Sequence, residues 1–154
     1  FVAADHTPER PFLATMGLFT CKAIAMYSPE AQRGLLAHLS HARMVDLDIE
    51  RLVRQFGNGF EDAVVQIVQA QQHTDEREWP TADMIATEVT KHSPSSIAID
   101  RNEDGLQIRG VALDLADGKI YELDNEFADE LADEWHGSVD FSRNIPIDPL
   151  SSIR

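Results

Sequence analysis

The sequence predicts one α/β domain of the α+β kind, a layered sandwich of mixed β-sheet with flanking helices. Three observations lead there. The chain has 154 residues, 43% of them hydrophobic, enough for one domain with its own core. Its apolar, β-branched runs are interrupted by only a few helical patterns, grouped rather than strictly alternating, which argues against a doubly wound parallel sheet. Late in the chain Asp117-Gly118 stands between two strand-like runs, a hairpin signal that calls for antiparallel pairing.

The elements follow in order. Residues 1–11 carry Asp5, Pro8, Glu9 and Arg10 and read as a flexible N-terminal arm. The domain is expected over 12–136. Residues 12–27 read as one bent strand or two, with Gly17 at the bend or bulge. Ser28-Pro29-Glu30 reads as a turn and 34–40 as the returning strand. Asp46 is placed to cap a helix over about 47–56, where Ile49, Leu52, Val53 and Phe56 share a face and Glu50 precedes Arg54 by four. Gly57-Asn58-Gly59 ends it. Ala63 to Val68 reads as a buried strand, although so short an apolar run also fits a helix segment. Gln71 to Trp79 is polar and reads as a loop. Pro80-Thr81 opens a helix over about 82–91 with Met84, Ile85 and Val89 inward. Strands are expected over 96–100, 107–115 and 119–123, the first two separated by Asn102-Glu103-Asp104-Gly105. Asn125 is placed to cap a last helix with Phe127, Leu131 and Trp135 on one side and acidic residues in its first turn. The segment 137–154 holds two prolines and reads as an irregular tail.

The charge balance narrows the partners. With 27 acidic against 13 basic residues the net charge is −14, which repels phosphate backbones and anionic membranes alike. No nucleic acid and no membrane is expected as a partner, and no apolar run approaches the ~20 residues that span a bilayer. The acidic surface reads first as a solubility device and second as a face for a basic protein. No secretory leader pattern is visible, and a chain that starts at Phe1 is expected to be cut from something longer.

Cys21 is the single cysteine, so no internal disulfide is available, which suits a reducing compartment and a cytoplasmic site of action. It lies in an apolar run, and His38 follows seventeen residues later in another. Two strands joined by a turn can set these side chains together. A thiol with a pKa of about 8.5 is mostly unreactive at neutral pH, and a neighbouring imidazolium lowers that value. The thiolate can then attack a carboxamide carbon, the imidazolium can protonate the leaving ammonia, and the imidazole can activate water. Thr15 is a candidate to orient the ring. The backbone N–H of Cys21 and the Thr20 hydroxyl are candidates to hold the oxyanion. Thiol, imidazole and water cover every step, so no cofactor is expected. The competing reading of both residues is plain burial: a small apolar thiol and a satisfied core histidine.

Other groupings carry less. His38 and His41 point to opposite faces of a strand, so no shared metal is expected. His6, His73, His92 and His136 are scattered. Asp100, Asn102 and Asp104 suggest a calcium loop, but its twelfth position is Val111.

The stretch from Thr15 through Cys21 to Tyr27 and Pro29, followed by Gly34-Leu35-Leu36-Ala37-His38, resembles the chemoreceptor glutamine deamidases of the CheD family. That family has a threonine six residues before its cysteine, a tyrosine-x-proline turn, and a histidine about seventeen residues after the cysteine. The downstream order of elements is similar through about Asp124. Here Phe19-Thr20 replaces the family's glycine-serine pair, and Val64-Val65-Gln66-Ile67-Val68 stands where a glycine-rich segment is expected. The same scaffold serves toxins and effectors similar to cytotoxic necrotizing factor. The resemblance implies a CheD-like fold and a protein-glutamine deamidase with Cys21 as nucleophile, His38 as base and acid, and Thr15 as orienting residue. It implies a protein substrate presenting an exposed glutamine, with a regulatory or immunity protein as a further partner and transglutamination as a side reaction. The effector or toxin role is preferred, with action in the target cell's cytosol. A chemotaxis enzyme, a cysteine peptidase and a non-catalytic acidic binding module on the same scaffold are the alternatives.

Overall fold

Every side chain of the strand Lys22–Ser28 is buried. A strand reaches that state only when both faces of its sheet are covered, and two different layers cover them here. The computed structural model describes residues 2–7, 12–18, 21–39, 45–69, 80–101, 109–123 and 147–149. They form nine strands and two α-helices: β1 Val2–Asp5, β2 Phe12–Leu18, β3 Lys22–Ser28, β4 Arg33–Leu39, α1 Val45–Phe56, β5 Val64–Gln69, α2 Ala82–Thr90, β6 Ser96–Asp100, β7 Arg109–Asp114, β8 Ile120–Leu123 and β9 Ile147–Pro149.

The first sheet has the order β1-β4-β3-β5-β6 and the second β2-β7-β8-β9. All pairs are antiparallel except β5–β6, whose parallel register follows from the crossover through α2. On one side of β3, Ile24 and Met26 join Leu35, Val65 and Ile67 under Ile49, Leu52 and Phe56 of α1 and Ile85 and Val89 of α2. On the other side, Ala23, Ala25 and Tyr27 join Leu36 and Val68 against Leu13, Leu18, Val111 and Leu113 of the second sheet and Leu115 of the turn after β7. The order is therefore helices, mixed sheet, antiparallel sheet: an α+β layered sandwich, as the sequence predicts.

Small residues set the close approach of the two sheets. A Cβ on Gly34 would stand 2.4 Å from Leu115 Cδ2 and 2.8 Å from Leu113 Cδ2. The Tyr27 hydroxyl donates to the Ala116 carbonyl at 3.0 Å, fastening β3 to the β7–β8 turn. In that turn Gly118 has φ 75°, and a Cβ there would meet the Tyr27 ring at 2.2 Å. Gly118→Ala combines a left-handed backbone with a clash against a buried ring. It is expected to cost about 2–4 kcal/mol, read as a lower urea midpoint with an unchanged slope.

Helix ends follow local chemistry. The Thr81 hydroxyl accepts from the Met84 N–H at 3.1 Å and starts α2. Gly57 donates its N–H to the Val53 carbonyl and stops α1. Glu50 and Arg54 form the expected i,i+4 pair.

Four expectations need correction. Val2–Asp5 is not a loose arm: its backbone pairs with Arg33–Leu36 as an edge strand, and Ala4 is buried in the inter-sheet core. Asp46 does not cap α1, which begins at Val45, and lies inside its acidic first turn. Met84 is 48% exposed, because one turn of α2 puts Ile85 and Val89 against the sheet and Met84 beside them on the outside. Residues 147–149 of the tail pair with Leu123–Tyr121 as the last strand of the second sheet. The run 12–27 is two strands, as one of the two readings had it, and the register irregularity between Thr15 and Leu18 contains the expected bulge position Gly17; the two strands belong to different sheets. The loop 71–79, the turn at 102–105 and the helix expected after Asn125 lie outside the described residues.

Candidate functional site

β3 and β4 form the expected hairpin, and its register decides which side chains meet. Ala23 stands opposite His38. Residues directly opposite in an antiparallel pair share a face, and Ala23 faces the gap between the sheets. The His38 ring therefore enters that gap. Cys21, two residues before Ala23, packs half-buried against the same inter-sheet core. It is the residue immediately before β3, whose first residue, Lys22, pairs with Leu39, the neighbour of His38. Cys21 as a residue keeps part of its surface open.

The third residue comes from the other sheet. Thr15 on β2 stands opposite Val111, which is fully buried between the sheets, so Thr15 faces inward too. Its hydroxyl Oγ1 lies 3.1 Å from Nδ1 of His38. This hydrogen bond crosses the sandwich and joins residues 23 apart in sequence. It occupies Nδ1 and leaves Nε2 as the nitrogen available to a thiol or a water. For Nε2 to accept a proton, the neutral ring must carry its hydrogen on Nδ1, which then donates to the Thr15 oxygen.

Burial sets the charge of the ring. His38 is half-buried, and the loss of hydration holds its pKa below the usual histidine value. Lys22, next to Cys21 but on the helix-facing side of β3, is only 4% exposed. Burial lowers its ammonium pKa, and the neighbouring Cys21 sulfur opposes that shift. The sequence reading passed over Lys22. Its signal was parity: Lys22 shares the alternation of Ile24 and Met26, both fully buried.

The structure thus brings Thr15 and His38 into hydrogen-bonding distance and packs Cys21 against the inter-sheet core. Thr20 lies outside the described residues. Of the remaining histidines, His92 packs edge-on to Phe60 at 6.4 Å between ring centres. His6 is half-buried and its backbone N–H donates to Gln32. His41, His73 and His136 lie outside the described residues, as do Asn102 and Asp104. Among the described residues no three His, Cys, Asp or Glu side chains form a metal-binding group. Among the same residues no helix is long and apolar enough to cross a membrane.

What the arrangement can do is nucleophilic chemistry. An imidazole whose Nδ1 is held by a hydroxyl keeps Nε2 for proton exchange as far as the described residues go. The chain matches no protein-family model and no curated protein sequence.

Proposed function

We propose that this chain is a cysteine-dependent protein-glutamine deamidase on a CheD-like scaffold, the catalytic domain of a bacterial effector or toxin acting in the cytosol of a target cell. The observation that carries this reading is the Thr15–His38 hydrogen bond across the two sheets, with Cys21 packed half-buried against the same inter-sheet core. The Thr15, Cys21 and His38 spacing that resembles the deamidases is the second support.

The chemistry runs in two halves. The Cys21 proton passes to Nε2 of His38, and the thiolate adds to the carboxamide carbon of the substrate glutamine. The oxyanion is held by the Cys21 backbone N–H, with Thr20 as a second donor. The imidazolium returns its proton to the amide nitrogen, the C–N bond breaks, and ammonia leaves a thioester. Water then adds to the thioester carbon as Nε2 takes its proton. The C–S bond breaks, glutamate is released and the sulfur recovers its proton from the ring. A primary amine in place of water gives transglutamination. No step calls on a cofactor.

The test is peptide mass spectrometry on glutamine-bearing candidate proteins, with ammonia release measured in parallel. The expected result is a gain of about one dalton at a discrete glutamine, matched by one ammonia per event. A Cys21 that reacts with iodoacetamide like an ordinary buried thiol, with the same rate in His38→Ala, would defeat the reading. Thr15→Val keeps the shape and removes the hydroxyl. It is expected to lower kcat by roughly tenfold or more with little change in KM, because the ring is then free to turn.

A further inference from the structure

β2 carries one residue more than its pairing with β7 needs. Thr15 pairs with Val111 and Leu18 pairs with Arg109, so Met16 and Gly17 together stand opposite Gly110. This is a β-bulge. Side chains alternate along a strand, and residues three apart ordinarily face opposite sides. Here both ends of the bulge face the same way: the Thr15 hydroxyl meets His38 between the sheets, and Leu18 is fully buried in the inter-sheet core. A chain one residue shorter would achieve this without a bulge. With Met16 or Gly17 gone, Thr15 and Leu18 stand two apart, in phase with Val111 and Arg109, and the ladder becomes regular. Core packing therefore does not call for the extra residue, and its effect lies in the path of the backbone.

We propose that the Met16–Gly17 bulge is the positioning device of the candidate site: by bending β2 it brings the Thr15 hydroxyl within reach of Nδ1 of His38. The inference rests on the deamidase reading and adds to it the backbone feature that orients the general base. Packed sheets ordinarily stand about 10 Å apart. Threonine is one of the shortest polar side chains, yet its hydroxyl reaches the ring across the sandwich at 3.1 Å. A bulge bends its strand and raises the local twist, and Thr15 is the residue at which this irregularity begins. The competing role is protection of an edge. Among the described residues β2 is the outermost strand of the second sheet, with β7 as its partner, and a bulge there also deters pairing with another chain. The two roles differ in what removal of the bulge does.

The experiment deletes Gly17 in one variant and Met16 in another. Each is compared with wild type and Thr15→Val by the ring-nitrogen NMR signals of His38, by kcat and KM for glutamine deamidation, by thermal melts and by size-exclusion chromatography. The expected result is a folded variant with wild-type elution and a melting temperature within a few degrees of wild type. Its ring signals are displaced to those of Thr15→Val, and its kcat is lowered about tenfold with KM little changed. Wild-type ring signals in a folded deletion variant overturn the proposal, and elution as a larger species beside them assigns the bulge to edge protection. An unchanged kcat overturns it as well. So does failure of both deletions to fold, which would make the extra residue a requirement of the core. A wild type that deamidates no glutamine ends the deamidase reading alone, and the ring signals still decide what the bulge does.

Discussion

Cys21→Ser is expected to abolish glutamine deamidation, with a loss of at least about 1,000-fold in kcat and no detectable mass gain on a substrate that the wild type converts. The serine hydroxyl is nearly the same size, so packing against Ala23 and the inter-sheet core is retained and the melting temperature is expected to stay within a few degrees. What is lost is the nucleophile. A serine hydroxyl is far less acidic than a thiol, and a ring whose protonated form is disfavoured by burial is a poor partner for removing its proton. The measurement is single-turnover mass spectrometry beside a thermal melt. Wild-type activity in the serine variant would end the thioester mechanism.

His38→Ala is expected to lower kcat by about 100- to 10,000-fold, the usual contribution of a positioned general acid and base. The same variant tests pH dependence. Because burial lowers the ring's pKa when folded, the folded state binds fewer protons than the unfolded state between the folded value and about 6.5. The neutral ring's contribution to stability is thus complete above about 6.5 and is lost as pH falls through the folded value. Wild-type melting temperature should decline on acidification through this window, and that component should be absent from His38→Ala. The acid limb of the rate profile belongs to sulfur and ring together, and burial of the ring pushes it toward lower pH. A melting profile with the same acid dependence in both proteins would show that His38 is not the group responsible.

Local patterns made much of the fold readable, and they failed where partners mattered. The β3–β4 hairpin was legible because two apolar runs flank Ser28-Pro29, and its register then put His38 opposite Ala23. The α2 start was legible because Thr81 is a good cap. The edge strand β1 was not, since Val2–Asp5 is held by backbone pairing with β4 and by a single buried alanine. Nor was β9, whose pairing with β8 depends on a distant part of the chain. The division of 12–27 between two sheets was invisible for the same reason: hydrophobicity shows that a strand is covered, not which layer covers it. The candidate site shared this limit. Spacing could suggest that Thr15 and His38 meet, but their contact exists only because β2 belongs to the second sheet, which packs over the sheet of β3 and β4. Lys22 stayed unread because an isolated lysine in a strand is ordinarily taken as solvent-facing.

The contact between Thr15 and His38 has one end on each half of the sandwich. A small slide of one half over the other would part hydroxyl from imidazole while leaving each sheet's own ladder whole. Turnover would then report interlayer slippage, and mild denaturant should silence the protein well before its circular dichroism changes.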